Sequence, residues 1–219
     1  MKWYEIIMWR GAENSVSDFP VFCEQGFKTI TLFNSLPEQF RPNFLRAISK
    51  KRAKAMTWDL ENFRECLLKK RGGSLGGAPS ELGYSIGFFS SMKDSEAFGY
   101  SLHIGDTNPM FVNSLIIRIS PAFDMGDEQN AETMKKLFIQ AVRELRPFWG
   151  CLKSESKAHL DVPKFENKAW HPVHWLNYYS PETIQQIEGL LEELLKDVPS
   201  AYWEDKILIL PHDPLDDRD

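Results

Sequence analysis

Three stretches decide the fold: LGYSIGFFS at residues 82–90, FGYSLHI at 98–104 and SLIIRIS at 114–120. In each, apolar side chains recur at every second position. Tyr84, Ile86 and Phe88 share one face of the first. Phe98, Tyr100 and Leu102 share one face of the second, with Ser101 and His103 opposite, and Leu115, Ile117 and Ile119 repeat the pattern in the third. A period of two is the signature of a half-buried strand, and three such strands in succession predict an antiparallel meander. The charged connection 92–97 suits a hairpin tip. The connection 105–113, with Asp106, Asn108 and Pro109, reads as a longer loop.

Working towards the N-terminus, the glycine-rich run 72–77 has neither the Lys-Ser/Thr ending nor the spacing of a phosphate loop, and reads as a linker or long loop. Before it, Leu60, Phe63, Cys66 and Leu67 give residues 59–70 a helical stripe. Residues 44–55 carry Arg46, Lys50, Lys51, Arg52 and Lys54, read as the solvated face of a helix. Phe19, Phe22, Cys23, Gly26, Ile30 and Phe33 fall on one face of a helix capped by Ser17 or Asp18. Residues 3–9 form an aromatic first strand.

Towards the C-terminus, Met134, Leu137, Phe138, Ala141, Val142 and Leu145 predict an amphipathic helix starting at Asp127 or Gln129 and stopped by Pro147. Residues 148–153 and 173–179 read as strands around an irregular polar segment, 154–172. Ser180-Pro181-Glu182 opens a further helix with a cap, a proline at its first position and an acidic first turn. Its buried face would carry Ile184, Ile187, Leu191, Leu194, Leu195 and Val198. Residues 203–210 return as a strand, and the acidic tail 212–219 is expected to fray. The order predicts an α+β fold: an antiparallel or mixed sheet with about four helices packed against it, in a single domain spanning 1–219.

Composition narrows the function. Residues 1–75 hold 13 Lys and Arg against 8 Asp and Glu, and the remainder 13 against 23, so the net charge of −5 is concentrated after residue 75. That distribution argues against nucleic acid as partner and favours a basic protein. No run approaches the roughly 20 apolar residues of a membrane span, and residues 6–9 are too short for an export signal. Three separated cysteines, Cys23, Cys66 and Cys151, fit reduced thiols in the cytoplasm. His171-Pro172-Val173-His174 lacks the company of a zinc site, no nucleophile motif is present, and no cofactor is expected. The reading is a non-enzymatic protein that works by binding another protein. The alternatives are an adaptor for some other partner, or a hydrolase with an unrecognised carboxylate or histidine site.

Several blocks, in order, carry a family resemblance. They are the aromatic strand and following helix, Glu81-Leu82-Gly83-Tyr84-Ser85, Asn113-Ser114-Leu115-Ile116-Ile117, Phe148-Trp149-Gly150, and Val173-His174-Trp175-Leu176-Asn177-Tyr178. Together they resemble the immunity protein 52 family of bacterial polymorphic-toxin systems, with His174 in place of a glycine and Asn177 in place of a threonine. The resemblance implies a cytoplasmic protein that binds and neutralises a cognate toxin, typically a restriction-endonuclease-like DNase delivered by a type VI secretion system, and catalyses nothing. Asn113, Ser114, Trp149, Gly150, Trp175 and Tyr178 would be structural. A nuclease presents basic surface, so the acidic candidates for facing it are Asp94 and Glu96 in the hairpin tip, Asp106 in the next loop, and Glu155 and Asp161 in the long polar segment.

Overall fold

The first strand of the chain becomes the middle of the sheet. The computed structural model describes residues 3–11, 19–47, 53–69, 82–93, 96–107, 113–154, 175–196, 202–204 and 206–209. In it β1 (Tyr4–Arg10) lies between β6 (Asn113–Ile119) and β7 (Trp149–Ser154). Beyond β6 come β5 (Gly99–Asp106), β4 (Leu82–Phe89), β2 (Phe44–Leu45) and β3 (Lys54–Ala55); beyond β7 come β8 (Leu176–Tyr179), β10 (Ile207–Ile209) and β9 (Tyr202–Glu204). Neighbours throughout this 10-stranded sheet run antiparallel.

Alternation sorts the strands' side chains onto two faces. Tyr4, Ile6 and Met8 of β1 join Leu115, Ile117 and Ile119 of β6, Tyr100, Leu102 and Ile104 of β5, and Tyr84, Ile86 and Phe88 of β4 in the main core. Helices α1 (Phe19–Thr31), α2 (Leu60–Leu68) and α3 (Glu128–Leu145) cover that face. The six apolar positions that predict α3 are all buried, and each such side chain stabilises the fold by about 1.5–3 kcal/mol. Asp127 caps α3 by accepting a hydrogen bond from the Asn130 N–H (2.9 Å), and Asp59 caps α2 through the Asn62 N–H (2.8 Å). Ile7, Trp149, Cys151, Tyr179 and Leu208 form a smaller cluster on the opposite face, joined by Ile184 of α4 (Pro181–Lys196). Among the described residues no helix is long and apolar enough to cross a membrane.

The α+β class with four helices stands, and the sheet is antiparallel. Three local expectations change. The basic stretch 44–55 is not a helix where it is described: Phe44 and Leu45 pair with Phe89 and Phe88 at the edge of the sheet, and Lys54 and Ala55 add a further short strand. The Phe44 and Phe89 rings stack with centroids 5.7 Å apart, so tertiary pairing overrides a helix-forming composition. Residues 203–210 are not one strand but the hairpin β9–β10, reversed near Lys206 at φ 68. The connection 105–113 is shorter than expected, because β5 runs through Asp106 and β6 begins at Asn113. The cap at Ser17 or Asp18, the glycine-rich run and the C-terminal tail lie outside the described residues.

Candidate functional site

The face of the sheet opposite α1–α3 changes character across its width. Over β7, β8 and β10 it is buried and mainly apolar, with Asn177 and Lys153 as its polar members. Over β4, β5 and β6 the outward positions are Ser85, Gly87, Ser101, His103, Ser114, Ile116 and Arg118, of which Ser85 and Arg118 are exposed and the others half-buried. Strand register arranges these in transverse rows. One runs Ser85, His103, Ser114, Trp9, Trp149, Tyr179; another runs Gly87, Ser101, Ile116, Ile7, Cys151, Asn177. A third places Arg118 beside Glu5, and Glu5 beside Lys153. The Arg118 guanidinium also sits over the Trp3 ring, 4.6 Å from its centroid. The result is a shallow surface with small polar residues around Ile116, an arginine and two tryptophans. Such a mixture suits recognition of another surface better than enclosure of a small molecule.

One polar network lies at the end of this face. His103 Nε2 is 3.2 Å from the Asp106 carboxylate, whose side chain is 1% exposed. The Asp106 N–H donates to Asn113 Oδ1 (2.9 Å), and Asn113 Nδ2 donates to the Gly11 carbonyl (2.8 Å). Asn113 thereby ties the end of β5 to the end of β1, where the chain would otherwise leave buried backbone groups unmet. Residues three apart on a regular strand face opposite ways. Gly105, at φ 76, turns the strand so that Asp106 reaches back to His103. Sequence reasoning missed this pair, although the glycines Gly83 and Gly105 were its visible signal.

The two acidic candidates that are described, Glu96 and Asp106, lie at opposite ends of β5. Asp106 is not on a surface loop: it is the last residue of β5 and is buried in the network just described. Glu96 is exposed, at the tip between β4 and β5, and pairs with Lys93 at 3.4 Å. Asp94, Glu155 and Asp161 lie outside the described residues, as do His171 and His174. Of the residues assigned to structure, Asn113 is buried as above and Ser114 is half-buried between His103 and Trp9. Trp149 is 1% exposed, with its ring 5.1 Å from that of Trp9. A Cβ at Gly150 would meet Met8 Cγ at 3.1 Å and the Ile7 carbonyl at 3.3 Å, so Gly150 lets β7 close on β1. Trp175 and Tyr178 are half-buried against the main core.

The thiols are placed as apolar packing. Burial pushes the Cys23 thiol up to about 11 and raises that of Cys66, which suppresses the reactive thiolate. Burial, with Cys151 beside it, likewise pushes the Tyr179 phenol well above its ordinary range. Among the described residues no group of three or more His, Cys, Asp or Glu is placed to hold a metal ion.

No family model matches the chain, and no curated protein matches it. Among solved structures, the fold is similar to a Pseudomonas aeruginosa T6SS protein, with a TM-score of 0.54 at 14% identity over 95% of this chain and 69% of that one.

Proposed function

We propose that this chain is an immunity protein that binds a cognate bacterial toxin stoichiometrically and neutralises it in the cytoplasm without catalysing a reaction. The observation that carries the reading is the fold it shares with a type VI secretion protein of Pseudomonas aeruginosa over 95% of its length. The ordered blocks that resemble the immunity protein 52 family point the same way, although no family model supports that finer assignment. The toxin is a nuclease with basic surface, in keeping with the acidic charge after residue 75. With Asp106 buried and Glu96 paired, shape and the Ile116–Ser101 region of the open face contribute more to docking than these two carboxylates do. The direct test is co-purification of tagged protein with the toxin-like product of the adjacent gene. A stable complex supports the reading, and independent elution of the two at micromolar concentration refutes it.

One observation favours a second reading, hydrolysis. His103, backed by the buried Asp106 carboxylate, stands between Ser85 and Ser114 in one row of the open face, and a carboxylate–histidine pair beside a serine has the composition of a nucleophilic site. Assay against a panel of ester substrates with the parent and His103→Ala separates the two. Turnover lost in the variant supports hydrolysis, and no turnover in the parent leaves binding as the function.

A further inference from the structure

Among the described residues, two that are not glycine have left-handed backbone: Arg146 at φ 50 and Lys206 at φ 68. Turn chemistry asks for something else at both. Arg146 is the C-terminal cap of α3, where glycine is the usual left-handed residue, and it precedes Pro147, which favours extended backbone before it. Lys206 reverses the β9–β10 hairpin, where Gly, Asn or Asp is preferred. A long cation therefore occupies each position against the local backbone preference. The two are far apart in sequence, yet both line one pocket of about 290 Å³, with Val142, Arg143 and Tyr178.

Among the described residues that line it, none is a carboxylate. A second pocket of about 420 Å³ shares Arg143 and Arg146 and adds Arg10 and Lys28 together with the carboxylates Glu24 and Glu144. Lys28 is matched there by Glu24 at 2.8 Å, whereas no described residue forms an ion pair with Arg146 or Lys206. Burial, and Glu182 after it, raise the Tyr178 phenol above its ordinary range, so its hydroxyl remains a donor. Strain held at two backbone positions that converge on one pocket is a mark of a functional constraint.

We infer that this pocket is an oxyanion site that takes a phosphate group, gripped by the Arg146 guanidinium, the Lys206 ammonium and the Tyr178 hydroxyl. The two cations Arg146 and Lys206 overmatch a single carboxylate, while a phosphate dianion offers both the charge and the tetrahedral oxygens to meet donors arriving from a helix end, a strand and a turn. The inference is independent of the toxin-binding reading and fails or stands without it.

The test uses the full chain with inorganic phosphate, pyrophosphate and, as the carboxylate control, acetate, at constant ionic strength, read by calorimetry and by Tm. Arg146→Gly and Lys206→Gly are the decisive variants, because glycine accepts the left-handed backbone and each should fold at least as well as the parent. The parent should bind phosphate or pyrophosphate saturably and acetate not at all. Each variant should keep or gain Tm without ligand and lose at least about tenfold in phosphate affinity. Absence of saturable phosphate binding by the parent, equal binding of acetate, undiminished phosphate binding by the variants, or variants less stable than the parent without ligand would each overturn the assignment.

Discussion

Gly83 and Gly105 stand opposite each other across β4 and β5, both with positive φ, at 53° and 76°. A Cβ on Gly83 would lie 2.6 Å from the Ile104 carbonyl oxygen and 2.7 Å from the Asp106 nitrogen, while one on Gly105 would press on the Phe22 ring at 3.0 Å. The bend they form aims Asp106 at His103 and fixes where the open face ends.

Gly83→Ala should therefore destabilise the protein by about 2–4 kcal/mol, combining a disfavoured backbone with a backbone clash. Gly11→Ala, where a Cβ meets nothing within 4 Å, should change stability by less than about 0.5 kcal/mol. Urea denaturation of the pair, with unchanged m-values, checks both.

Asn113→Ala removes the bonds that join Asp106 to Gly11 and leaves the Asp106 N–H buried without its acceptor. The expected loss is about 2–3 kcal/mol, against under about 1 kcal/mol for the half-buried Ser114→Ala. Equal effects of the two in denaturant would contradict the assignment of Asn113 as the tie between strands.

These particulars show what was legible in the sequence. Period-two runs at 84–88, 100–104 and 115–119 and the stripe from Met134 to Leu145 each mark an element whose whole pattern is local, and each is where it was expected. The place of β1 is not local: Tyr4 meets Ile119 and Ser154, more than a hundred residues away, and no periodicity records such a pairing. Residues 44–55 carry a helix-like composition, and the edge of β4 made strands of the described parts. Asp106 looked like a surface acid because Asp next to Gly is ordinary loop chemistry. Its burial follows from the reversal at Gly105, which only two glycines announced.

Cys23 gives a pH signature. Its folded thiol, raised to about 11 from 9.0, stays neutral in a range where the unfolded thiol ionises. Its contribution to stability is complete below pH 9 and is lost as pH rises towards 11. Denaturation midpoints should fall over that window more steeply in the parent than in Cys23→Ala. Native alkylation at pH 8 should label the half-buried Cys66 ahead of the buried Cys23 and Cys151.

If the open face docks the toxin, Ile116→Arg, half-buried at its centre, should weaken binding by at least about tenfold, the loss expected at an interface centre. Glu96→Lys, at the exposed tip and already paired with Lys93, should change association rate and salt dependence with little effect on dissociation. Surface plasmon resonance at low and moderate salt, with folding of each variant confirmed by circular dichroism, distinguishes the two patterns.

Neutralisation of the toxin is read out by cell survival. Cells expressing the toxin from the adjacent gene are plated with and without this chain. Co-expression should restore colony counts to those of cells without toxin, and Ile116→Arg should restore fewer. Equal killing with and without the chain, at matched toxin levels, would contradict it.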